Sequence, residues 1–132
     1  MPKQPIIPSE FRSAYDQLKM SPAMVSGDHV FFSGVTGADS RGHMPDGPEE
    51  QIRNAFDKIE VVLRQIDLTF DAIVEMTTYH IDLREYFDRF NAIRSEYVKE
   101  PYPAWTAIEV AGLRREGAII EIRVIACIKP GD

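Results

Sequence analysis

A chain of 132 residues, 44 % hydrophobic and 27 % charged, fits one packed domain over residues 1–132 and is too short for two of ordinary size. Its formal net charge of −6, with no cluster of Lys and Arg, argues against gripping phosphate backbones or anionic membrane surfaces. The single cysteine, Cys127, excludes an internal disulfide, and no apolar run approaches the ~20 residues of a membrane helix.

The opening "MPKQPIIPSEF" has closely spaced prolines and no long apolar core, so it does not read as a signal peptide. A soluble, cytoplasmic protein is expected, with no nucleic-acid or membrane partner. Residues 1–24 read as irregular. "HVFFSG", residues 29–34, is a short β-prone run stopped by Ser-Gly. Residues 37–48, rich in Gly, Pro and Asp, read as a surface loop.

The first helix is predicted from Pro48, with Glu49 and Glu50 at the positive end of its dipole. Ile52, Ala55, Phe56, Ile59, Val62, Leu63 and Ile66 recur at three- and four-residue steps and form one apolar face. Arg53, Asp57, Lys58, Glu60 and Arg64 are expected mostly to face water.

"AIVEMTTYHIDL", residues 72–83, is rich in β-branched and aromatic residues and predicts a strand. Asp82 is expected to cap a second helix, with Glu85 completing a capping box. Tyr86, Phe90, Ile93 and Tyr97 share a face of that helix, which must stop near "KEPYP". Strands over residues 104–111 and 118–128 close the chain. In the last, Ile120, Ile122, Val124, Ala126 and Ile128 lie on one face. Ile119, Glu121, Arg123, Ile125 and Cys127 lie on the other. Helices can cover the first face. The second needs another cover, and a neighbouring subunit is the natural one.

No phosphate loop, dinucleotide fingerprint or nucleophile elbow is present. His29, His43 and His80 share no metal-ligand spacing, so neither metal nor cofactor is expected. Any chemistry would rest on acid–base groups and hydrogen bonds.

"SPAMVSGDHVFFSG", "PEEQIRNAFDKI", "MTTYHIDLREYFDRFNAI", "PYPAWTAIEVAGL" and "GAIIEIRVIA" together resemble the YjgF/Rid (L-PSP) family of reactive enamine/imine deaminases. The resemblance runs from about Ser21 to Ala126. It implies a chorismate-mutase-like α+β fold: a mixed sheet with two helices packed on one face. It further implies a homotrimer around a central barrel, with small-molecule clefts between subunits. The implied reaction is cofactor-free hydrolysis of an enamine or imine to a keto acid and ammonia.

Position by position, the family's Ser-Gly is Ser33-Gly34, its helix asparagine is Asn91, and its water-holding glutamate is Glu121. Three positions depart. The family tyrosine is Met20, the carboxylate-clamping arginine is Trp105, and the small residue two places on is Ala107. An arginine offers a planar fork, each charge-assisted hydrogen bond contributing about 1.5–3 kcal/mol. An indole offers one N–H and a broad apolar face. A larger or flatter substrate is therefore expected.

Plainer readings stand beside these. Trp105 is either a ligand platform or a core or interface aromatic. Glu121 holds water or pairs with Arg123. Asn91 meets the ligand or caps its helix. Ser33 and Gly34 serve the cleft or end a strand, and Met20 packs. His80, with an ordinary pKa near 6.5, is a catalytic acid–base candidate or a hydrogen-bonded strand-end histidine. At the level of the whole chain, the alternative to a hydrolase is a non-catalytic ligand-binding or chaperone-like trimer. A ribonuclease role fits poorly with the acidic charge.

Overall fold

The computed structural model describes residues 2–128. Seven strands and three α-helices alternate: β1 (Gln4–Ile6), α1 (Arg12–Leu18), β2 (Ala23–Ser26), β3 (His29–Phe32), β4 (Val35–Thr36), α2 (Pro48–Gln65), β5 (Ile73–His80), α3 (Leu83–Tyr97), β6 (Ala104–Glu109) and β7 (Ile120–Cys127). They form one mixed sheet in the order β1-β2-β3-β7-β5-β6, with β4 also beside β7. Every pairing is antiparallel except β5 with β6, which the crossover helix α3 joins in parallel.

The segment expected to be irregular carries β1, α1 and β2. Their apolar residues are too few for a periodic signal. What makes them regular is tertiary: β1 and β2 extend the sheet edge beside β3, where Ala23 is buried against Phe32. Gly27, at φ +61°, turns β2 back into β3.

Helix α2 is as its periodicity predicts. Its stripe, Ile52 to Leu63, covers Val30, Ile122 and Val124 of the sheet. Phe56 is fully buried and stacks on Tyr97 of α3 at 4.7 Å between ring centroids; burying a side chain of that size contributes about 2–3 kcal/mol. Gln51 is buried too. Its amide donates to the carbonyls of Pro45 (2.8 Å) and Gly117 (2.9 Å) and accepts from the Ile119 N–H (2.9 Å), tying α2 to the loop before it and to the approach to β7.

The expected capping box at α3 does not form. Asp82 sits at the cap position with φ +54°, a left-handed conformation, and its side chain makes no capping bond. Glu109 of β6 takes that place: its carboxylate accepts the Leu83 N–H at 3.1 Å. A carboxylate from the adjoining strand thus satisfies a free helix donor.

The sheet has one covered face and one open face. Ile120, Ile122, Val124 and Ala126 are buried under the helices, while Glu121, Arg123, Ile125 and Cys127 alternate onto the other side and are half-buried. Phe31 (39 % exposed), Val74 (45 %) and Ile108 (39 %) leave large apolar side chains in water. Phe31 stands opposite Ile125 across β3 and β7, so this open side has an apolar centre.

Candidate functional site

The sequence-selected residues fall into two groups. The first forms where the chain steps off β3 and onto β4. Strand β3 runs beside Phe31's partner Ile125 and beyond, whereas β4 runs beside Glu121 and Ile122; Ser33 and Gly34 span the step. Ser33 uses its polar groups to hold the preceding segment. Its hydroxyl donates to the Ser21 carbonyl (2.7 Å) and its N–H to the Pro22 carbonyl (2.9 Å). Gly34 lies so close to Glu121 that an added Cβ would overlap the carboxylate oxygen and sit 2.8 Å from its carbon. Only a residue without a side chain lets the carboxylate rest there.

Met20 follows Lys19, which ends α1 in a left-handed conformation at φ 58°. Met20, Ser33, Gly34 and Glu121 line one cavity of about 200 Å³, walled by Phe11, Leu18, Phe32 and Val62. Glu121 makes no ion pair with Arg123 among the described residues, although the two share a strand face. Its carboxylate is free to accept a water's hydrogen bond.

Three cationic residues that the sequence assigned to solvent, Lys58 on a helix face and Arg114 and Arg115 in a solvated turn, also line this cavity. Lys58 was expected to face water. It is half-buried instead: burial, and then the Arg115 guanidinium, push its pKa down to about 8 against a weaker pull upward from Asp39. Its place between Ala55 and Ile59, at the border of the apolar stripe, is the signal that could have shown it. Arg115 anchors its own loop by donating to the Gly42 carbonyl at 2.6 Å.

The second group gathers under α3. Trp105 and Ala107 project from β6 on the same side as Met76 and Thr78, their register partners on β5. The indole stacks on Phe87 at 5.5 Å with 6° between the planes, and its Nε1–H donates to Thr78 Oγ1 at 2.9 Å. His80 Nε2 lies 2.7 Å from the same hydroxyl. His80 is 2 % exposed, and burial pushes its pKa down to about 4. At neutral pH the ring is uncharged, so Nε2 can accept the threonine proton while that oxygen accepts from the tryptophan. His80 therefore meets Trp105 through Thr78, not through a shared opening.

An arginine is present at the indole, but it comes from α3. The Arg94 guanidinium lies 3.9 Å above the Trp105 ring. Among the described residues its buried Nε has no hydrogen-bond partner, and burial lowers its pKa, with Tyr102 opposing. Phe87, Asn91 and Arg94 follow one another at helical steps of four and three, so Asn91 lies on the stripe that faces β6.

These two groups lie on opposite faces of the sheet. Glu121 stands opposite Tyr79 on the open side, whereas Trp105 stands beside Met76 on the helix side.

Together these features define an α+β domain: one mixed sheet with helices on one face and a carboxylate seated on a Ser-Gly step. The chain belongs to the Endoribonuclease L-PSP family, whose model matches residues 13–128. This is the YjgF/Rid family indicated by the sequence resemblance. The RutC family protein YjgH of Escherichia coli is 35 % identical over 124 residues, covering 93 % of each chain. The solved structure of protein YjgH superposes with a TM-score of 0.88 at 32 % identity, covering 99 % of this chain and 100 % of that one. The 2-iminobutanoate/2-iminopropanoate deaminase of Bos taurus is 29 % identical over 112 residues, 83 % of this chain and 80 % of that one. Among the described residues no helix is long and apolar enough to cross a membrane.

Proposed function

We propose that the protein is a cofactor-free hydrolase of reactive enamines or imines, acting in clefts between the subunits of a homotrimer. The observation that carries this reading is Glu121, whose unpaired carboxylate rests against Gly34 inside a cavity. The similarity to a 2-iminobutanoate/2-iminopropanoate deaminase supports the reaction class.

Each cleft takes Glu121, Ser33, Gly34 and Met20 from one protomer and Trp105, Asn91 and Ala107 from the next. The opposite-face placement of the two groups supports this division, and the open apolar side of the sheet supports the assembly. Glu121 draws a proton from water as the water adds to the C=N carbon; the nitrogen leaves as ammonia and a carbonyl remains. His80 is a positioning residue: neutral and buried, it orients Thr78 and through it the indole.

Substrate preference differs from that of relatives with an arginine on the strand. Here the far end of the substrate meets a guanidinium backed by an indole. A flat, delocalised group suits that surface better than a short aliphatic acid. The test is ammonia release from imines generated in situ by an amino-acid oxidase. Acceleration over the uncatalysed rate is expected, with a loss of at least about 100-fold in Glu121→Gln. Trp105→Arg should shift the preference toward short 2-imino acids. No acceleration by the wild-type protein would contradict the reading and leave a ligand-binding trimer.

A further inference from the structure

The Glu121 cavity contains an amine that the reaction above does not use. Lys58 enters it from α2, among Phe11, Leu18, Met20 and Val62. No carboxylate pairs with it among the described residues. The Arg115 guanidinium, a like charge, acts on it more strongly than the Asp39 carboxylate does, and Arg114 lines the same space. A surface lysine of a salt-bridged helix would extend into water or reach an acid four residues away. This one is half-buried and lines a partly apolar cavity that Arg115 and Glu121 line as well. Desolvation together with a neighbouring cation is the environment that turns a lysine into a nucleophile.

We propose that Lys58 is a nucleophilic amine that forms a Schiff base with the carbonyl or imine carbon of the ligand bound beside Glu121. This deepens the hydrolase reading, on which it rests for the identity of the ligand. The neutral Nζ adds to the C=N carbon of the substrate. Both Nζ protons pass to the departing nitrogen, which leaves as ammonia, and the carbon is now joined to Lys58 as an imine. Water, giving a proton to Glu121, adds to that carbon. Nζ takes that proton from Glu121 and, on collapse, the hydroxyl proton and the C–N electron pair, releasing a keto product and the free amine. The sum is imine plus water to carbonyl plus ammonia, with no change of oxidation state. The downward displacement of its pKa to about 8 supports this chemistry. About one Lys58 in ten is neutral at pH 7, against about one in three thousand for an ordinary lysine.

The same amine condenses with the keto product, so the intermediate can be trapped without a substrate. The wild-type protein is incubated with 2-oxobutanoate and sodium borohydride, and the reduced adduct is mapped by peptide mass spectrometry. Expected is one adduct per chain, at Lys58 in preference to Lys3, Lys19 and Lys99. In parallel, ammonia release is measured for the wild type and for Lys58→Met, which keeps length and apolar character, with thermal melts to show that the variant folds. A loss of at least about 100-fold is expected. Adducts spread evenly over the surface lysines, or absent, would overturn the proposal. So would full ammonia release by folded Lys58→Met, and in that case the hydrolase reading survives. An adduct confined to Lys58 without any ammonia release would uphold the reactive amine and sink the hydrolase reading instead.

Discussion

Glu121 and Gly34 show how a residue with no side chain fixes one with a functional group. Gly34 does not adopt a left-handed conformation, so Gly34→Ala costs the backbone little. Its only severe contact is the flexible end of Glu121, which must move. Expected is a protein with a melting temperature close to wild type and ammonia release reduced at least about tenfold. Gly37→Ala is the control. Its Cβ would meet the backbone of Gln51, which cannot give way, and the fold should be lost. His80 supplies a second residue-scale prediction. Its folded pKa, about 4, lies below its unfolded value. Between those values the unfolded chain binds a proton that the folded chain refuses. The stability is therefore full above about pH 6.5 and drains as the pH falls toward 4, at up to about 1.4 kcal/mol per pH unit. Urea unfolding at pH 7 and pH 5 should show a larger acid loss for the wild type than for His80→Gln.

At the scale of elements, α2 rests on Gln51 as much as on its apolar stripe. Gln51→Leu keeps the volume but leaves two carbonyls and one N–H without partners. A loss of roughly 2–4 kcal/mol is expected, read as a lower urea midpoint at unchanged slope. The elements most legible in the sequence are those whose pattern is long. Helix α2, strand β7 and the Pro-bounded α3 could be read from periodicity alone, because one buried stripe repeats over many residues. β1, α1 and β2 could not, since a three- to seven-residue element carries too few repeats and owes its form to the sheet edge it joins. The site was legible in the same unequal way. Glu121, Ser33 and Gly34, which the resemblance grouped, line one cavity. The Arg94–Trp105 contact could not be read, because it depends on which helix lies over which strand, whereas the half-burial of Lys58 showed only in its place at the border of the α2 stripe. Asp82 marks a further limit: a capping-box spacing says nothing about a strand carboxylate, Glu109, that reaches the helix first.

The whole molecule presents a sheet with helices on one side only. Phe31, Ile108, Val74 and half-buried Ile125 share the apolar open side, an otherwise costly surface that the proposed homotrimer would bury. Ile125→Asp places a charge at its centre. It should yield folded monomers by light scattering, with unchanged circular dichroism and ammonia release abolished, because each monomer keeps only half of a cleft. The most direct test of that division mixes two inactive variants, Glu121→Gln and Arg94→Glu, unfolded together and refolded as mixed trimers. Each variant alone should be inactive. A one-to-one mixture should recover about a quarter of the wild-type rate of ammonia release, since one interface in four joins two intact halves. A mixture as inactive as its parents, beside an active wild type, would contradict the shared cleft.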